Sequence, residues 1–557
     1  MNQNQVFQTR LLSSLSKVFP DGQGTEHPVT GGSMLSNETY AFQAAYRTEG
    51  PVNDLRVIVD APAALPVTVR RVGLVPSGLP VYPDHDEHVL RAEPGLFPDP
   101  LYPLDEEQTI SAVPGEWQSV WITLQPNGQT PAGSYPITVR FASGDGEVAG
   151  VETFQLELIP EELPPQKLIH TEWFHTDCLA TYYKLDVFSE EHWQVIGQYM
   201  DTAVKHGMNM ILTPVFTPPL DTEVGGERPT VQLVDVTVTG EDQYAFGFDR
   251  LARWVELCDE KGIRYFEFSH LFTQWGAKHA PKIMASVDGN LQKIFGWETD
   301  ATGETYRLFL EQFVPALTEW IHANNLSERS YFHISDEPGA DHLESYGYAS
   351  KLLGGLLQGF PIIDALSDYD FFENGLVKTP IPASNHIEPF LEHNVQPLWT
   401  YYCCSQYKEV ANRFMCFPSA RNRILGYQLY KFDAAGFLHW GYNFYYSQYS
   451  KGEIDPYETT DAGKAFPSGD PFIVYPGPGG VPVESIRLEV MNEALQDLRA
   501  LQLLESKIGR ENVLKALEED LPEPITFSRY PREEEWLIAK REWVNRKIKE
   551  ALASANV

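Results

Sequence analysis

After a proline-rich break, PEELPPQK (Pro160–Lys167), the chain alternates short apolar runs with stretches of helical period as far as about Glu505. This alternation limits the fold more than any other feature. Apolar runs joined through helices cannot form hairpins, so they pair in parallel and are covered on both faces. The first four runs are LIHTEWFH, NMILTPVF, RYFEFSH and SYFHIS, and PIIDALS, QPLWTYYC, GFLHWGYN and FIVYPG follow as strands five to eight. Helices fall between them: SEEHWQVIGQYMDTAVKHG carries Ser189 as an N-cap and Gly207 as a stop. Eight strand–helix units is the number that closes a parallel (β/α)8 TIM barrel, which is the expected fold. Residues Val231–Phe246 read as an extra hairpin on the second loop.

Before the break the texture is different. TYAFQAAYRT, DLRVIVDA, VTVRRVGLVP, SVWITLQP, GSYPITVRFAS and VETFQLELIP alternate apolar with polar residues and are punctuated by Pro or Gly. That pattern predicts an antiparallel β-sandwich. The expected organisation is therefore a multidomain chain: an N-terminal segment 1–35, a β-sandwich domain 36–163, and a catalytic barrel 167–557 with C-terminal helices.

Charge narrows the partners. With 42 basic and 77 acidic residues the formal net charge is -35, a field that repels nucleic acid, anionic membrane and polyanionic glycans. The first twenty residues do not read as a signal peptide, and no later run has the length of a membrane span, so the expectation is a cytoplasmic protein. Five cysteines (Cys178, Cys258, Cys403, Cys404, Cys416) lack metal-ligand spacing and read as reduced core thiols. Oligomeric state is not legible.

Candidate chemistry lies in YFHISDEPG (Tyr331–Gly339), where Asp336 and Glu337 stand side by side. The bland reading is a turn that caps the next helix. Position argues otherwise, because the pair follows the fourth apolar run, and the carboxyl ends of barrel strands form the catalytic face. Two acids there suit glycoside hydrolysis: one carboxyl protonates the leaving oxygen while a second charge supports an oxocarbenium-like transition state. Their mutual repulsion raises the pKa of one, which keeps it protonated near neutral pH.

A second carboxylate acting as nucleophile or base is not offered by strands six, seven or eight. Strand five supplies Asp364 and Asp368, which keeps an inverting scheme open with Glu337 as acid. The other option is a nucleophile from the substrate, a 2-acetamido carbonyl attacking its own anomeric carbon. Aromatic residues at strand ends fit a sugar ligand: Trp399, Tyr401, Tyr402, Trp440, Tyr442 and Trp275. His175 and His270 are candidates for binding hydroxyls. No HxH or HExxH spacing occurs, so neither a metal nor another cofactor is expected.

HISDEP, LWTYYC, GFLHWGYNFY, FIVYPGPGG and SIRLEVMNEALQDLRALQLLE resemble the domain of unknown function 4091 family, which is related to glycoside hydrolase family 123. The resemblance covers about residues 36 to 510. It implies a β-sandwich fused to a (β/α)8 barrel and an exo-acting β-N-acetylhexosaminidase, galactosaminidase-like, using a metal-free substrate-assisted retaining mechanism. By the family motif Asp336 orients the acetamido group, Glu337 is the general acid/base, and Tyr401 is the tyrosine preferred for the acetamido carbonyl. The alternatives that stay open are a glycosidase or transglycosidase on a non-acetamido sugar, with Asp364 or Asp368 as base, and a carbohydrate-binding barrel without chemistry.

Overall fold

The computed structural model describes residues 7–105, 107–144 and 146–555. Two five-stranded sheets precede the proline break. The first runs Phe7–Ser13, Tyr40–Thr48, Gln118–Leu124, Val67–Ser77, Gly95–Pro103, and the second Gly31–Leu35, Val148–Ile159, Gly133–Ala142, Val52–Asp60, Thr109–Ala112. Every pairing is antiparallel except that of Val148–Ile159 with Gly31–Leu35. Strand alternation explains the layering: Leu55 and Val57 are buried while Asp54 and Arg56 face water. Inward residues of both sheets meet in one core, where Phe42 of the first stacks on Phe154 of the second at 4.4 Å between ring centres.

The expected boundaries change here. Residues 1–35, read as a segment outside the sandwich, supply the strands Phe7–Ser13 and Gly31–Leu35. The chain also groups into two compact units. The first takes the described residues of Met1–Gln166 together with Tyr407–Phe432 and Val483–Val557, and the second takes Lys167–Gln406 and Asp433–Pro482. The C-terminal helices Ile486–Ile508, Arg510–Glu518 and Glu534–Ala555 thus group with the sheets, not with the parallel strands as expected. Buried ion pairs account for this: Arg487 meets Asp99 at 2.9 Å, Arg70 meets Glu489 at 2.6 Å, and Arg541 pairs with Glu38. Charges this buried are retained only where a partner is fixed opposite.

In the second unit we label the parallel strands β1 (Ile169–Glu172), β2 (Met210–Thr213), β3 (Tyr265–Phe268), β4 (Ser330–Phe332), β5 (Ile363–Ala365), β6 (Thr379–Ile381), β7 (Trp399–Tyr401) and β8 (Gly436–His439). Six form a curled sheet in the order β4-β3-β2-β1-β8-β7, and β5 pairs with β6. Isolated parallel bridges, Phe332 to Ile362 and Ala383 to Tyr401, run from that pair toward β4 and β7. Every residue of β2 and β8 is buried, as a strand covered on both faces requires. Gly436 in β8 is forced by packing, since a Cβ there would come within 2.2 Å of the Trp399 ring.

Two strand assignments shift. QPLWTYYC and GFLHWGYN hold β7 and β8 rather than strands six and seven, because Thr379–Ile381 is an additional strand. FIVYPG is no strand; Phe472 makes one isolated antiparallel bridge to Asn443. The extra hairpin exists, as Asp235–Gly240 against Gln243–Gly247, and it joins the hairpin Ile283–Phe295 in a four-stranded sheet. Ser189 caps the helix Glu190–Lys205, its side chain accepting from His192 N–H at 3.3 Å. Among the described residues no helix is long and apolar enough to cross a membrane.

Candidate active site

The loop leaving β4 carries the acid pair, and neighbouring strand ends hold it by backbone and side-chain bonds. Ile334 N–H donates to Asp364 Oδ1 at 3.0 Å, Ser335 Oγ donates to the Thr273 carbonyl at 2.7 Å, and Trp275 N–H donates to the Asp336 carbonyl at 2.9 Å. Glu337 N–H donates to the carbonyl of Ala365, at the end of β5, at 3.0 Å. Glu337 has φ of +43°, a left-handed conformation that costs a residue with a Cβ, and only a well-braced loop sustains it. The braces therefore fix where both carboxyl groups point.

They point into a cavity of about 150 Å³ whose wall includes Trp173, Trp275, Tyr401 and Trp440. The Tyr401 hydroxyl donates to Glu337 Oε1 at 2.6 Å. Burial, then repulsion from Glu337, hold the Asp336 carboxyl well above the ordinary carboxylate range, against a downward pull from His333. Burial also raises Glu337, and the Tyr401 hydrogen bond opposes that rise. Glu337 remains reachable by water through the cavity mouth while protein surrounds it on the other sides, so its rise is the more moderate of the two. Both rises favour a proton held within the pair.

Beneath the pair lies a buried polar network. His333 donates through Nε2 to Glu267 Oε1 at 2.5 Å and through Nδ1 to Asp364 Oδ1 at 3.1 Å. Glu267 also accepts from Trp173 Nε1 at 2.8 Å and Thr171 Oγ1 at 2.6 Å, and Asp364 from the Tyr346 hydroxyl at 2.6 Å. Burial alone would lower the His333 pKa, but its two carboxylate partners raise it to about 9, which makes it an imidazolium. Burial pushes Asp364 upward as well, against its bonds to His333 and Tyr346. Of the two contacts the one to Glu267 is the shorter, 2.5 Å against 3.1 Å.

The residues named from the sequence divide into two groups. Asp336, Glu337, Tyr401, Trp275 and Trp440 line the cavity, with Trp440 Nε1 anchored on Asp470 Oδ2 at 2.9 Å. Trp399, Tyr402, Tyr442, His175 and His270 do not. Trp399 and Tyr401 share one face of β7, but Trp399 lies a layer deeper, buried against core residues that include Trp173 and Met210. Tyr402 faces the other way, packed on Phe437. The Tyr442 hydroxyl donates to the Tyr199 carbonyl at 2.9 Å, and its ring lies against Phe174. His175 is buried with Nε2 2.8 Å from the Trp440 carbonyl, a prop for the Trp440 turn.

His270 stacks on His333 at 4.2 Å between ring centres, buried, with neither ring nitrogen hydrogen-bonded to a described residue. Burial holds its pKa well below the usual range, so it is the neutral ring over the His333 imidazolium. The acids proposed for an inverting scheme also fall outside the cavity wall. Asp364 is the brace of the β4 loop, and Asp368 caps the helix Tyr369–Glu373 by accepting from Asp370 N–H at 3.1 Å.

Sequence reasoning missed Trp173, Asp221, Tyr449, Cys403 and Cys404, all of which line the cavity. Cys403 is a buried core thiol as expected and also borders the cavity, whereas Cys404 is only partly buried and is corrected to a wall residue. Trp173, in TEWFHTDC, directly follows β1, and Asp221, in FTPPLDT, lies in the loop that follows β2; their place beyond a strand end was the available signal.

The family model for the glycoside hydrolase 123 catalytic domain matches residues 173–504. Among solved structures, a family 123 glycoside hydrolase from Clostridium perfringens, described in terms of glycolipid glycan hydrolysis, matches with a TM-score of 0.75 at 15% identity, covering 99% of this chain and 99% of that one. At that identity the likeness is one of fold. A β-glucuronidase from Parabacteroides merdae matches with a TM-score of 0.31 at 9% identity, covering 88% of this chain and 52% of that one, too weakly to carry an argument. No curated protein sequence matches.

Proposed function

We propose, from the premise that this chain belongs to the glycoside hydrolase 123 family and is a glycoside hydrolase, that it removes a terminal β-linked 2-acetamido sugar by a substrate-assisted retaining route. The observation that carries this reading is the braced Asp336–Glu337 pair opening on the cavity with Tyr401 hydrogen-bonded to Glu337. A cavity of about 150 Å³ is small beside the roughly 300–1,000 Å³ of drug-sized sites, which supports exo action on a single sugar unit. We also read the eight parallel strands as a closed (β/α)8 barrel, supported by the two bridges that link β5 and β6 toward their neighbours.

In the first step the acetamido carbonyl oxygen bonds to the anomeric carbon as the glycosidic C–O bond breaks. The electron pair of that bond goes to the leaving oxygen, which takes the proton of Glu337. Asp336 accepts the acetamido N–H, which draws charge toward the attacking carbonyl. That same bond stabilises ionised Asp336, so substrate binding concentrates the shared proton on Glu337. In the second step the Glu337 carboxylate takes a proton from water, the water oxygen bonds to the anomeric carbon, and the oxazolinium ring opens. Two inversions leave the β configuration in place.

Hydrolysis of aryl β-glycosides tests this, with 2-acetamido galacto and gluco sugars run beside plain galactoside and glucoside. The expected result is activity confined to acetamido sugars and reduced at least about 100-fold by Glu337→Gln and by Asp336→Asn. Activity on plain sugars alone would overturn it.

A further inference from the structure

The loop after β2 is strained and braced like the loop of the acid pair, yet the mechanism assigns it nothing. Asp221 has φ of +38°, a left-handed conformation unfavourable to a side chain. Four bonds hold it there. Its N–H donates to Gln274 Oε1 at 2.6 Å, and Gln274 Nε2 donates to the Thr222 carbonyl at 3.1 Å. Ser450 Oγ donates to the Asp221 carbonyl at 2.8 Å, and Tyr449 N–H donates to Asp221 Oδ2 at 2.9 Å. Strain sustained by this much bracing marks a position whose geometry is used.

The side chain forms part of the cavity wall that Asp336 and Glu337 also line. Oδ2 is spoken for by Tyr449, whereas Oδ1 accepts no hydrogen bond from a described residue. Among the described residues no cation forms an ion pair with the group. Arg228, whose charge acts on it, spends its guanidinium on Asp177 at 2.8 and 2.7 Å and on the Leu220 carbonyl at 3.0 Å. Burial pushes Asp221 up to about 6, against the Tyr449 N–H bond and the charge of Arg228. Among the described residues, the cavity wall holds three carboxyl groups and no Lys, Arg or His.

We propose that Asp221 is a specificity residue that accepts hydrogen bonds from hydroxyl groups of the bound sugar, and that the pocket takes an uncharged pyranose while rejecting uronates and sulfated or phosphorylated sugars. The inference rests on the glycoside hydrolase reading, though not on the acetamido group. An anchored carboxylate with one unoccupied oxygen matches the hydroxyl donors of a sugar, whose other edge then meets the aromatic wall. An anionic sugar would bring a further negative charge beside three acidic groups with no cation to receive it.

The test is calorimetric binding of N-acetylgalactosamine, N-acetylglucosamine, galactose, glucose, glucuronate and galactose 6-sulfate to the wild type and to Asp221→Asn. Steady-state kinetics on the best aryl glycoside run alongside. The expected wild type binds a neutral sugar and neither anion. The expected variant binds that neutral sugar about 10–100-fold more weakly, with KM raised by the same factor and kcat within about threefold. Equal affinity in the variant, or anions bound as well as neutral sugars, overturns the proposal, as does failure of the wild type to bind any of the six. A loss confined to kcat also overturns it, because Asp221 would then be a base. The wild-type comparison of neutral with anionic sugars needs no variant, so misfolding of Asp221→Asn leaves a decisive arm. Binding limited to galactose or glucose would uphold Asp221 while overturning the acetamido reading, which keeps the two failures apart.

Discussion

In the proposed mechanism Glu337 gives a proton and takes one back within each turnover, and its hydrogen bond from Tyr401 bears on both steps. The Tyr401 hydroxyl donates at 2.6 Å and favours the ionised carboxylate, pulling its pKa down against burial. Removing the bond in Tyr401→Phe raises the pKa of Glu337. Since the first step needs Glu337 protonated, the alkaline limb of the kcat/KM profile moves to higher pH, and kcat falls about tenfold at neutral pH from loss of a charge-assisted bond. A pH–rate comparison of wild type and variant checks this, and an unmoved alkaline limb would contradict it. The place of Asp336 and Glu337 in the cavity wall was legible because the pair directly follows an apolar run that ends as a strand. Tyr401 and Trp399 were less separable: two residues apart on one strand, they share a face, and sequence does not say which layer holds the substrate.

At the scale of elements, the site is built by short strands whose loops brace one another. Asp364 serves three of those bonds, to Ile334 N–H, His333 and Tyr346. Asp364→Asn strips the buried imidazolium of one carboxylate and is expected to cost about 3–5 kcal/mol of stability, with a fall in kcat as the acid loop loosens. Asp368→Ala removes only an exposed helix cap, costs about 1 kcal/mol, and leaves kcat within about twofold. Denaturant unfolding and kcat on the two variants check the pair. A large kcat loss in Asp368→Ala would restore it as a base. The strand β6 escaped sequence reading because Thr379–Ile381 is three residues long with Pro380 at its centre, against the usual strand signals. FIVYPG misled for the opposite reason: its apolar run is buried as a loop, and burial rather than pairing explains its composition.

The whole chain is discontinuous in a way that sequence order hides. The described residues of Val483–Val557 group with the N-terminal sheets, tied by Arg487 to Asp99 and Arg541 to Glu38. Texture alone assigned them to the parallel strands they follow, since pairing between residues hundreds of positions apart leaves no local pattern. Arg487→Ala removes two guanidinium bonds from the buried Asp99 carboxylate, which is expected to cost about 3–5 kcal/mol in denaturant unfolding. A cost under about 1 kcal/mol would mean the pair holds nothing together.

In the proposed mechanism the substrate supplies its own nucleophile, and a substrate series can vary that nucleophile alone. Aryl 2-acetamido glycosides are compared with their mono-, di- and trifluoroacetamido analogues, which have progressively weaker carbonyl nucleophiles and nearly the same shape. The expected result is that kcat/KM falls steeply with each fluorine, by more than about 100-fold across the series. A flat response would mean that the acetamido carbonyl does not attack, and that a group of the protein or an activated water does.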